Sequence, residues 1–114
     1  MTGRVGTVML DCLDLDTMVG FWGRLLGLDE KARYPDYVWM GRLSEGGPAL
    51  AFQRVPEAKT VKNRMHLDVA VPDVGAAVAL VEELGGTRLA DHEIGGFRWT
   101  VLADPEGNEF CVHA

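Results

Sequence analysis

The 114-residue chain has only two cysteines, Cys12 and Cys111. Two thiols make no disulfide framework, and their spacing fits no zinc motif. In a reducing compartment both are expected as free thiols that pack like small hydrophobes. Basic residues are also few: 11 Lys and Arg stand against 17 Asp and Glu, a net charge of −6. This excludes nucleic acid as a partner, because phosphate binding needs a clustered excess of cations. No apolar run approaches the roughly 18 residues of a membrane span. Met1-Thr2-Gly3-Arg4 starts no basic region followed by an apolar stretch. No signal peptide is expected, and the expected location is cytoplasmic.

What is present suits one globular domain. Hydrophobic residues make up 47% and charged residues 25%, an ordinary balance that supports one core at this length. Two stretches look like copies of one unit. Val5 to Leu10, followed by Asp14 and a helix-like run, matches Arg64 to Val69, followed by Asp73 and another helix-like run. Aligning Asp14 with Asp73 pairs Thr7 with His66, an offset of 59. Trp39 and Gly47 match Trp99 and Gly107 at an offset of 60. Duplicated units usually pack about a pseudo-twofold axis, so matched positions near it converge on one cavity.

Strand-like segments are expected at 5–12, 29–34, 37–43 and 49–55 in the first half, and at 64–71, 87–92, 97–103 and 109–113 in the second. Asp14 or Asp16 caps a helix over about 17–26, whose Met18, Phe21, Trp22 and Leu25 recur at helical spacing. Gly27 ends it. Pro72-Asp73 opens a second helix that runs to about Leu84. Gly95-Gly96 and Asp104-Pro105-Glu106-Gly107 are turns. The polar stretch 56–63 is a linker between module one (about 4–55) and module two (about 64–114). Each half thus reads β-α-β-β-β, an α+β protein with helices on one side of its sheets.

Side chains alternate between the faces of a strand. One face carries Val8, Leu10, Leu50, Phe52, Leu67, Val69, Phe110 and Val112, and packs on the helices. The other carries Thr7, Met9, Asp11, Ala49, Ala51, Gln53, Arg64, His66, Asp68, Ala70, Glu109, Cys111 and His113. That mixed, ionisable set is either a solvated outer face or the lining of a site.

The paired halves, the segment Arg64-Met65-His66-Leu67-Asp68-Val69 and the ending Asp104-Pro105-Glu106-Gly107-Asn108-Glu109-Phe110 resemble the glyoxalase/bleomycin-resistance/extradiol-dioxygenase superfamily, also called the vicinal oxygen chelate fold. The resemblance covers nearly the whole chain. It implies two tandem βαβββ modules forming a curled mixed sheet, with the mixed face lining a cup. Catalytic members of the family hold a divalent metal there, with His and Glu from the first and last strands of each half. Carried onto this chain, those positions are Thr7 and Ala51 in the first half, His66 and Cys111 in the second. Alanine cannot bind a metal, and one histidine with one thiol falls short of the three protein ligands of a catalytic site. Gln53, Glu109 or His113 could substitute only after a register shift. No metal ligand is assigned on these grounds. A divalent metal is possible but not favoured, and the cofactor is unknown.

His66 and Asp68 lie two apart on one strand face, with side-chain bases within roughly 7 Å. Such a pair could do metal-free acid–base work on a small carbonyl compound. Alternatively, Asp68 pairs with Arg64 and His66 merely lines the cup. Cys111 would be a nucleophile only if His66 or His113 lowered its pKa. The expected pocket comprises Thr7, Met9, Trp39, Gln53, Arg64, His66, Trp99, Glu109, Cys111 and His113. The expected function is small-molecule binding. The alternatives are a lyase, isomerase or dioxygenase using a variant site around His66, or acid–base catalysis by His66 and Asp68. The resemblance also implies a homodimer.

Overall fold

A computed structural model describes residues Met1–Ala114, in which two aspartates open two helices. Asp14 precedes α1 (Leu15–Leu26), and its carboxylate accepts the Thr17 amide at 3.1 Å. Asp73 precedes α2 (Val74–Glu83), and its carboxylate accepts the Ala76 amide at 3.0 Å. Each cap satisfies an amide that has no partner within its helix, worth about 1 kcal/mol. Because Asp14 and not Asp16 is the cap, α1 starts two residues before the expected Thr17. Gly27 ends it at φ 67°, in the left-handed region where glycine carries no Cβ penalty.

The chain divides into two compact units, Met1–Ala58 and Lys59–Ala114. Each is a βαβββ module with a mixed four-stranded sheet. The first contains β1 (Thr7–Cys12), β2 (Glu30–Tyr34), β3 (Tyr37–Arg42) and β4 (Ala49–Arg54), in the order β1-β4-β3-β2. The second contains β5 (Asp68–Ala70), β6 (Thr87–Ile94), β7 (Phe97–Ala103) and β8 (Glu109–His113), in the order β5-β8-β7-β6. In each sheet the first strand pairs parallel with the last, and the remaining pairs are antiparallel. No helix is long and apolar enough to cross a membrane.

The alternation of apolar residues fixes both cores. In the first unit Met18, Phe21 and Trp22 of α1 are buried with Val38, Leu50 and Phe52 of the sheet. The Phe21 and Trp22 rings meet edge to face at 5.2 Å, an arrangement aromatic rings prefer. In the second unit Val81 of α2 is buried, as are Leu102, Phe110 and Val112. Each such side chain stabilises its unit by roughly 1.5–3 kcal/mol.

The Asp104–Asn108 turn sets the start of β8. Asp104 is 3% exposed, and its Oδ1 accepts the amides of Glu106 and Asn108, both at 2.9 Å. The Asn108 side-chain amide donates to both carboxylate oxygens. Gly107 sits at φ 86°, which only glycine adopts without strain.

Three expectations need correction. The strand expected over 64–71 is only Asp68–Ala70. The Leu67 carbonyl still accepts the Cys111 amide at 2.9 Å. The next amide that β8 would offer, that of Glu109, donates instead to the Asn63 side chain at 2.8 Å. With that partner taken, Arg64, Met65 and His66 lie outside the ladder. The mixed face is also not uniformly open: Ala51 is 0% exposed and Cys111 7%. Each lies on an inner strand between larger neighbours, Ala51 between Met9 and Trp39, Cys111 between Asp68 and Val101. Finally, β6 runs to Ile94, beyond the expected His92, because Gly95 and Gly96 at φ 55° and 84° make a two-residue hairpin turn that lets Ile94 pair with Phe97.

Candidate functional site

Strand register in the second unit gathers the site. Asp68 of β5 is the parallel partner of Cys111, and Val101 is its antiparallel partner. Trp99 pairs with His92, and Phe97 with Ile94. On β7, Phe97, Trp99 and Val101 point to one face, opposite Leu102. These residues line a cavity of about 550 Å³ with Lys62, His66, Glu109 and His113. That volume suits a small organic ligand.

One wall is aromatic. The His92 and Trp99 rings stack at 5.4 Å and 28°, and the Phe97 and Trp99 rings at 5.8 Å and 28°. The His113 ring tilts against Phe97 at 5.3 Å. The remaining lining includes polar side chains. His66 Nε2 lies 3.3 Å from Asp68 Oδ1. The Lys62 ammonium donates to Glu109. That hydrogen bond holds the Glu109 carboxyl below its usual value, and the charges of Lys62, Lys59 and His66 assist.

Cys111 is pushed the other way. Burial raises its thiol most, then the Asp68 charge, the hydrogen bond the thiol donates to Asp68, and the Glu109 charge. A thiol raised above its usual range is protonated at neutral pH, so the nucleophilic role considered for Cys111 has no support. His66, Asp68 and Cys111 each offer one donor atom, and these atoms lie within 4.8 Å of one another. An imidazole, a carboxylate and a thiol are a chemically competent set for a borderline-soft divalent ion. The metal implied by the resemblance therefore fits three residues of the second unit.

The other expected residues fall out as follows. Trp99, His66, Glu109, Cys111 and His113 line the cavity. Arg64 is exposed in a bend and does not line it; the side chain beside Asp68 is His66. Thr7, Met9, Trp39 and Gln53 lie on the sheet of the first unit. There the Gln53 side-chain amide donates to the Tyr37 hydroxyl at 3.0 Å, and Tyr37 stacks on Trp39 at 5.8 Å. Sequence reasoning missed Lys62, His92, Ile94, Phe97, Val101 and Phe110 as lining residues. The Gly95-Gly96 hairpin held the signal for two of them, because it pairs Ile94 with Phe97 and His92 with Trp99.

Comparison with known proteins agrees with this architecture. The family profile described as "Glyoxalase-like domain" matches residues 7–113. The chain belongs to the glyoxalase-like domain family. No functionally curated protein matches its sequence. Among solved structures, this glyoxalase-like chain is similar to a glyoxalase/bleomycin resistance protein/dioxygenase family enzyme from Burkholderia phytofirmans PsJN. The two share 21% identity at a TM-score of 0.79, over 96% of this chain and 97% of that one. It is also similar to the genomically encoded fosfomycin resistance protein FosX from Listeria monocytogenes, with 14% identity and a TM-score of 0.80 over 100% and 94% of the two chains. A mutant of that protein, complexed with manganese(II) and 1S,2S-dihydroxypropylphosphonic acid, matches at 13% identity and a TM-score of 0.82 over 100% and 90%. At these identities the structural likeness speaks for the fold.

Proposed function

We propose that this glyoxalase-like protein binds a small organic molecule bearing a planar ring, in the cavity of its second unit. The observation that carries this reading is the continuous aromatic wall of His92, Trp99 and Phe97 beside a cavity of about 550 Å³. Phe97 is 52% exposed, which leaves part of its surface for a ligand to contact. Each aromatic pair adds about 0.5–1.5 kcal/mol beyond the area it buries. The polar side then recognises the remainder of the ligand: His66, Asp68, Lys62 and Glu109 supply donors and acceptors of both signs.

The 3.3 Å contact between His66 and Asp68 favours a second reading, acid–base catalysis on the bound molecule. Asp68 holds the imidazole in place, so His66 can take a proton from a carbon next to a carbonyl and return it. Cys111, kept protonated, contributes a weak donor and no covalent step. In place of that role, a divalent ion held by His66, Asp68 and a deprotonated Cys111 would polarise a ligand oxygen. The same proposal includes a cytoplasmic homodimer. The support for the dimer is the exposed apolar side chain of Ile94, 72% exposed, at the β6–β7 turn.

The test is a thermal-shift screen of planar aromatic acids, amines and amides against the tag-free chain, followed by fluorescence titration of the hits. Trp99→Ala should weaken binding at least tenfold, about 1.4 kcal/mol, while Trp39→Ala should leave it within about twofold. Hits that bind Trp99→Ala as tightly as the wild type would overturn the reading.

A further inference from the structure

We propose that His66, Asp68 and Cys111 form a zinc-type divalent metal site complete within the Lys59–Ala114 unit. This goes beyond the ligand reading and does not rest on it. Metal–ligand distances of about 2.0–2.3 Å place neighbouring donors of a tetrahedral site about 3.3–3.8 Å apart. His66 Nε2 and Asp68 Oδ1 are already 3.3 Å apart. All three donor atoms lie within 4.8 Å, so the thiol edge needs to close by at most about 1.5 Å. The two side chains that would move are the exposed ones, His66 at 52% and Asp68 at 63%. Cys111, buried at 7%, is the fixed anchor. The backbone supports the arrangement, because parallel β5–β8 pairing sets Asp68 directly beside Cys111.

The donor set chooses the ion. A thiolate and an imidazole suit zinc or cobalt, whereas magnesium and manganese favour oxygen donors. One thiolate and one carboxylate neutralise a divalent charge, which lowers the penalty of holding the ion beside the buried Cys111. Three protein donors leave a fourth position open towards the cavity, as in catalytic rather than structural zinc sites. This disagrees with the arrangement that the family resemblance implies. There the first half contributes ligands, whereas here its matched positions carry Thr7 and Ala51. Asp68, outside the family's ligand positions, takes the third place.

The experiment uses the tag-free, chelator-stripped full chain, titrated with Co²⁺ and followed by absorption. The expected result is one equivalent bound per chain, with a thiolate-to-cobalt charge-transfer band that Zn²⁺ abolishes and a hundredfold excess of Mg²⁺ or Mn²⁺ does not. Cys111→Ser should lose the band. His66→Ala and Asp68→Asn should each weaken Co²⁺ binding at least tenfold while keeping the wild-type circular dichroism. These two exposed positions carry the test if the buried Cys111 variant fails to fold. Absence of the band at millimolar Co²⁺ would overturn the proposal. So would wild-type affinity in both His66→Ala and Asp68→Asn, or displacement by Mn²⁺ as effective as by Zn²⁺. Loss of metal binding with ring binding intact, or the reverse, separates this proposal from the ligand reading.

Discussion

Replacing Asp104 by alanine should be among the most damaging single changes to the second unit. Asp104 is almost fully buried, and one carboxylate oxygen accepts two backbone amides, those of Glu106 and Asn108, at 2.9 Å. Both oxygens also accept from the Asn108 side-chain amide. Hydrogen bonds to a charged group contribute about 1.5–3 kcal/mol each, and an unsatisfied buried donor costs about 1–3 kcal/mol. Glu106 and Asn108 are only partly buried, so water can reach their amides once the carboxylate is gone. The lower end applies, and the two backbone amides together give a loss of about 3 kcal/mol. For a chain of this size that lowers Tm by about 12 °C. Asp104→Asn keeps one acceptor oxygen but turns an amide towards Asn108, so it should lose about 1 kcal/mol. Urea denaturation followed by circular dichroism gives both values, with the slope m checked for constancy. A loss below about 1 kcal/mol for Asp104→Ala at unchanged m would show that the turn is held by its backbone alone, and would refute the reasoning.

Other expectations follow from the same contacts. Phe52 is fully buried in the first unit, so Phe52→Ala should lose about 3–5 kcal/mol in the same denaturation experiment. Asn63→Leu removes the acceptor of the Glu109 amide; the Glu109 amide should then exchange with deuterium at least tenfold faster while the Leu102 amide keeps its protection. The Asp91 carboxyl is held below its usual 3.8, first by the hydroxyl hydrogen bond from Thr100, then by the hydrogen bond and charge of Arg88. A depressed folded value makes the contribution of Asp91 to stability present above 3.8 and lost as pH falls through the folded value. NMR titration of Thr100→Val should show the Asp91 midpoint moving up, and the variant should lose less stability than the wild type on going from pH 5 to pH 2. An Asp91 midpoint unchanged by the substitution would contradict that assignment.

Much of the fold is legible from local chemistry. Asp14 and Asp73 announce helix starts because a short carboxylate reaches an amide three residues on, and Gly27 announces an end because it alone relaxes at positive φ. The turn of Asp104 to Asn108 reads directly from its residue types. What was not legible depends on strand order. Nothing near Asp68 in sequence says that β5 lies beside β8; only the family resemblance brought these strands together, and it carried His66 and Cys111 to the site but not Asp68, 43 residues from Cys111. The burial of Ala51 and Cys111 has the same origin: period-two alternation predicts a face, but the flanking strands decide whether water reaches it. The short β5 reflects a side chain, Asn63, acting where a backbone partner was expected, which alternation cannot foresee.

The two units have kept one feature in common and differ in another. Tyr37 and Trp39 stack at 5.8 Å and 26°, and sixty residues on, Phe97 and Trp99 stack at 5.8 Å and 28°. The aromatic shelf is thus a property of the repeated unit. The donors are not. Where the second unit has His66, Asp68 and Cys111, the first has Thr7, Met9 and Ala51, with Met9 and Ala51 in the same parallel register as Asp68 and Cys111. One backbone arrangement therefore carries an ionisable cluster in one unit and an apolar patch in the other. A shelf alone can account for ligand binding in either unit, but the combination of shelf and donors occurs only in residues 59–114. This is why Trp99→Ala and Trp39→Ala are the informative pair. Equal losses of ring binding would assign recognition to the repeated shelf, whereas a loss confined to Trp99→Ala would tie it to the unit that also carries His66, Asp68 and Cys111.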